Sequence, residues 1–121
     1  MAMFASLLLT VVVALLHIYF LVLEMFLWTK PAGRRVFRTT PEFAEASRVL
    51  AANQGLYNGF LAAGLLWGVS IGPSGSAIRL FFLGCVVIAG VYGAATVGRK
   101  ILVVQALPAA IAIVLTVLAR R

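Results

Sequence analysis

The stretch Asn53-Gln54-Gly55-Leu56-Tyr57-Asn58-Gly59-Phe60 opens an apolar run that continues to Val69. Three amides, a tyrosine and two glycines stand where Leu, Ala and Val would serve a helix that only had to fill hydrocarbon. Hydrocarbon offers a polar side chain no hydrogen-bond partner, so polar groups within a membrane span face the protein interior or a wet cavity. The octapeptide therefore reads as the inner wall of a polar site in a small membrane-embedded helix bundle.

The composition around it agrees. Of 121 residues, 64% are hydrophobic and 11% charged, and the mean hydropathy is +1.12. A soluble domain carries roughly 25% charged residues, so this chain reads as one membrane domain over residues 1–121. The net charge of +7 comes from ten Lys+Arg against three Asp+Glu. These cations sit in short loops between apolar runs, which fits a topology signal and anionic headgroups rather than nucleic acid. The single Cys85 lies in an apolar run, forms no intramolecular disulfide and belongs to no metal-ligand spacing, so no metal site is expected. The first run lacks a basic n-region and is longer than a signal-peptide core, so it reads as a mature membrane helix.

The resulting expectation is an all-α integral membrane protein, a four-transmembrane-helix bundle with spans at about 3–28, 49–69, 80–97 and 101–118. A basic cytoplasmic loop, 29–47, holds Lys30, Arg34, Arg35 and Arg38. Within it, Thr40-Pro41-Glu42 has the form of an N-cap, a first-turn proline and a first-turn acid. The helix it starts is expected to run through Arg48 into the second span. The first and third loops carry Lys30, Arg34, Arg35, Arg38, Arg48, Arg99 and Lys100, against Arg79, Arg120 and Arg121 on the other side. The positive-inside rule then places both termini outside the cytoplasm, in a multi-pass protein of the cell membrane.

A rise of about 1.5 Å per residue converts position into depth. Measured from the cytoplasmic end of each span, Glu24 and Gln105 lie about 6 Å in, and Asn53, Gln54 and Tyr92 about 8–9 Å in. His17 and Asn58 meet at about 15–17 Å. The expected site is a pocket open to the cytoplasm, lined by Glu24, Asn53, Gln54, Tyr57, Tyr92 and Gln105, floored by His17 and Asn58, with Arg48 among the basic residues at its mouth. Glu24 and His17 are the candidate proton-transfer groups, because a buried acid or imidazole is easily tuned for that task. The mouth would draw an anionic headgroup or ligand. The plainer readings are a structural ion pair for Glu24 with Arg48, Arg99 or Lys100, a carbonyl partner for His17, and interhelical amide contacts.

Several of these residues carry a resemblance. The segment His17-Ile-Tyr19-Phe through Glu24-Met25 to Trp28, the run Asn53 to Gly64, the set Ala89-Gly90, Tyr92-Gly93, and the set Gln105, Pro108-Ala109 resemble the small integral membrane family of unknown function numbered 1304. The resemblance covers nearly the whole chain and implies no activity. A looser architectural similarity is to the membrane-associated eicosanoid and glutathione metabolism proteins, through Arg48 and Asn53 at the start of the second span. It implies trimers and a glutathione-like thiol cofactor. The acid that follows the asparagine in those proteins is replaced here by Leu56 and Tyr57, so the likeness is one of architecture.

Three functions follow as expectations. The first is binding or transformation of a lipophilic or amphipathic ligand in the polar layer, by a homo-oligomer (trimer or dimer) that walls the site. The second is a small proton-coupled exporter, although Glu24 lies near one end of its span. The third is a structural or assembly subunit in which the polar layer fixes helix register.

Overall fold

The computed structural model describes residues 1–120, and the described residues are all helix, turn and connection, with no strand. Helix α1 is Ala2–Met25, α2 is Pro31–Phe37, α3 is Pro41–Ala46, α4 is Arg48–Ile71, α5 is Ser76–Thr96 and α6 is Leu107–Ala119. A 3-10 turn, Gly72–Gly75, joins α4 to α5, and a π-helical segment, Leu102–Ala106, leads into α6. Three helical stretches are long and apolar enough to cross a membrane: Ala2–Met25, Arg48–Thr96 and Leu102–Ala119. Large apolar side chains such as Phe4, Phe81 and Ile88 point outward. That pattern suits hydrocarbon and not water.

Helix α1 ends at Met25, three residues before the expected Trp28. Lys30 precedes a proline and has extended backbone, φ −84° and ψ 160°, the geometry a following proline imposes. Leu27 and Lys30 close the chain into a turn instead. The expected cap at Thr40 is present, its hydroxyl accepting from the Phe43 N–H at 3.1 Å. The helix it starts does not continue into the span. It breaks at Ser47, whose hydroxyl donates to the Phe43 carbonyl at 2.7 Å and accepts from the Trp28 indole at 3.0 Å.

The chain divides into two compact units, and α1 and α4 contribute to both. One unit comprises Met1–Ala14 and Leu61–Arg121. Its core is Val13, Ala14, Ala62, Leu65, Leu83, Val86, Ala109 and Ala112, drawn from all four long helices of the chain. Small residues let the backbones meet: a Cβ on Gly90 would lie 2.8 Å from the Ala106 nitrogen. Ser6 and Thr116 share a buried hydroxyl–hydroxyl bond of 2.6 Å. The turn depends on Gly72, whose φ of 84° is left-handed. Arg79 is fully buried beside this turn, its Nη1 donating to the carbonyls of Gly68 at 2.8 Å and Gly72 at 2.7 Å, while its Nε makes no hydrogen bond. In the sequence Arg79 looks like a loop cation. Here it fastens the end of α4 to the first turn of α5.

The π-helical segment has a physical cause in Pro108. Proline has no N–H, so the carbonyl one turn earlier loses its usual partner. The Leu107 N–H bonds five residues back to Leu102, the widened pattern that absorbs such a defect.

The other unit is Leu15–Phe60. It holds the second half of α1, the short helices α2 and α3, and the first half of α4. Trp28 packs against Phe37 with the rings tilted by 49° and their centroids 4.9 Å apart, and Gly33 and Ala44 are buried.

Candidate functional site

In the second unit, α1 and α4 run antiparallel and close. Gly55 faces Glu24 and Met25, and Gly59 faces Leu21. A Cβ on Gly55 would sit 2.7 Å from Met25 Cγ and 3.2 Å from the Leu21 carbonyl oxygen. The glycine pair, spaced by one turn, is what lets a glutamate on α1 reach amides on α4. Glu24 is 2% exposed. Its Oε2 accepts from Gln54 Nε2 at 2.6 Å, and its Oε1 accepts from Asn58 Nδ2 at 2.5 Å. Gln54 and Asn58 are one helical turn apart, so both amides project from one side of α4.

The other expected site residues lie as follows. His17 is fully buried on the same face of α1, two turns before Glu24, with its ring edge-on to Phe20 at 5.7 Å. Asn53 is exposed and turns back to the Val49 carbonyl at 2.9 Å. Tyr57 is exposed beside Phe60, ring centroids 5.9 Å apart. Arg48 is exposed and pairs with Glu45 at 3.4 Å, not with Glu24. Tyr92, exposed on α5, and Gln105, half-buried in the π-helical segment, belong to the other unit. Glu24, Gln54 and Asn58 are thus brought together by direct hydrogen bonds. As a chemical object they form a carboxyl group clamped by two neutral donors, able to hold a proton, a donor-bearing ligand or simply two helices.

Arg79 is the polar residue that a reading by loops and spans misses. Gly68 and Gly75, which bracket the charge-free turn, mark the close approach that receives it.

An all-helical chain with stretches fit to cross a membrane, and an acid buried among amides, is a small helical membrane-type protein. Its sequence matches the family model described as protein of unknown function (DUF1304) over residues 11–117, and the chain belongs to that family. It is also 31% identical over 102 residues to an uncharacterized protein, YpaA, of Lactococcus lactis subsp. lactis (strain IL1403), covering 83% of this chain and 86% of that relative. No solved structure matches it.

Proposed function

We propose that this protein is a four-span integral membrane protein of one domain, with both termini extracytoplasmic, which holds an amphipathic ligand at a polar site centred on Glu24. The four-span reading draws support from the 49-residue stretch Arg48–Thr96. Uninterrupted, it would be about 74 Å long at the helical rise, more than twice a hydrocarbon core of about 30 Å. The contacts of Gly64 with Phe82 and Gly68 with Arg79 favour two antiparallel spans folded at Gly72–Gly75. Burial of Arg79 also removes one cation from the minority side, which sharpens the charge bias behind the orientation.

The observation that carries the ligand reading is the Glu24 cluster: an acid in a span, buried, and reached from the surface through exposed Gln54. Asn53, Gln54 and Tyr57 are exposed together on α4, a polar patch that hydrocarbon alone would solvate poorly. A ligand with a polar end satisfies it, and a second copy of the chain would wall the site. A specific observation favours a second reading, an assembly clamp: both Glu24 oxygens already have partners.

Native mass spectrometry of the protein extracted gently from its own membrane, wild type beside Glu24→Gln, separates the two. The ligand reading expects a bound small molecule that vanishes in the variant. An oligomer with no bound molecule, unchanged on substitution, supports the clamp instead.

A further inference from the structure

Among the described residues Glu24 enters no ion pair, since the salt bridge of its unit joins Arg48 to Glu45 on an exposed face. A buried carboxylate is ordinarily balanced by a cation. Here the hydrogen-bond donors seen among the described residues are two neutral amides. An amide N–H at 2.6 Å occupies the position an ammonium N–H would take, but brings no positive charge to balance the carboxylate. Each carboxylate oxygen also has a second lone-pair direction beyond the one its amide uses. The two amides are not equivalent. Asn58 is half-buried, whereas Gln54 is exposed and covers Oε2 from outside. Exposed Leu50 and the ring of Tyr57, one turn to either side of Gln54 on the same helix, offer apolar surface beside it.

We infer that the Glu24 site takes a cationic amphiphile: an alkylammonium whose N–H groups replace the Gln54 amide at Glu24 Oε2 while its chain lies along the apolar surface of α4. This inference rests on the ligand-binding reading above and fixes the charge of the ligand's head. An anionic head would bring like charge and further acceptors to the ionised Glu24 carboxylate, which only accepts. The arginines of the first loop then serve orientation and the lipid surface, not this site.

The test uses the full chain in a non-ionic detergent, titrated with decylammonium chloride or sodium decanoate and read by native mass spectrometry. The two probes share a chain length, so partition into the micelle is matched. Decylammonium is expected to saturate at one per chain and to bind at least about tenfold more tightly than decanoate, the scale of one hydrogen bond to a charged group. Gln54→Ala removes the internal competitor and should tighten decylammonium binding severalfold. A Gln54 that is merely structural would leave binding unchanged or weaker. Glu24→Gln should weaken it by about tenfold or more. Should that variant not fold, Gln54→Ala still decides. Equal binding of both probes, or no tightening in Gln54→Ala, overturns the inference. Decanoate binding that depends on Glu24 overturns it too, yet leaves the ligand site standing. A chain that binds neither probe and carries no Glu24-dependent molecule from its own membrane loses both.

Discussion

Replacing Arg79 by methionine keeps a long buried side chain in place and removes its charge and donors. The two carbonyls it serves, those of Gly68 and Gly72, belong to the backbone and remain. Two opposing terms decide the sign. Burying a guanidinium is costly, and here its Nε has no partner, so its removal returns some desolvation energy. Against that, each carbonyl left without its donor costs about 1–3 kcal/mol in buried surroundings. Hydrogen bonds measured within membrane proteins average about 0.6 kcal/mol, with a maximum near 1.7. Two bonds lost cost about 1–3 kcal/mol, and the expected outcome is a net destabilisation of about 1–2 kcal/mol once the returned desolvation energy is set against them. Arg79→Lys keeps the charge and should lose about half as much, whereas Arg79→Ala adds a cavity and should lose about 2–5 kcal/mol. The assay is reversible unfolding in dodecylmaltoside with rising mole fraction of sodium dodecyl sulfate, followed by tryptophan fluorescence. Trp67 is adjacent in sequence to Gly68 and reports on this unit. A methionine variant as stable as the wild type, or more so, would show that desolvation outweighs the two bonds and would refute the fastening role.

Two further outcomes follow from the packing of the same unit. Gly90→Ala places a methyl group 2.8 Å from the Ala106 backbone nitrogen; the overpacking, about 1–3 kcal/mol, should exceed the helix-propensity gain and give a net loss of about 1 kcal/mol in the same unfolding assay. A double-mutant cycle of Ser6→Ala and Thr116→Val should give a coupling of about 0.6 kcal/mol, and a value indistinguishable from zero would remove their 2.6 Å bond from the account.

Much of the local structure was legible because it depends on neighbours in sequence. Thr40-Pro41-Glu42 announces a helix start by chemistry confined to four residues, and the cap is there. The apolar runs announce helices of membrane length, since backbone groups in hydrocarbon must be satisfied within the segment. At the site, the i,i+4 spacing of Gln54 and Asn58 was readable, and so was a buried role for Glu24. That these three touch follows from Gly55 and Gly59, whose missing side chains set the distance between two helices. The sequence shows the glycines but not which helix they face. Depth alone grouped Asn53 with the amides, although helical phase turns it back onto the Val49 carbonyl. Arg48 was a candidate partner for Glu24, yet Glu45, one turn away and exposed, meets it first. Arg79 escaped a reading by spans and loops because its partners are carbonyls, and a carbonyl is present at every position.

The two carbonyl partners of Arg79 lie only seven and eleven residues upstream of it. During synthesis, those carbonyls emerge before the guanidinium they will bind. A charge that is expensive to strip of water is therefore matched by carbonyls of the preceding helix and turn, before α6 has been made. A cation whose partners lay on α6 would have to wait, unsatisfied, for the last helix to arrive. The order of the chain thus lets one costly dehydration step of assembly be completed early and locally.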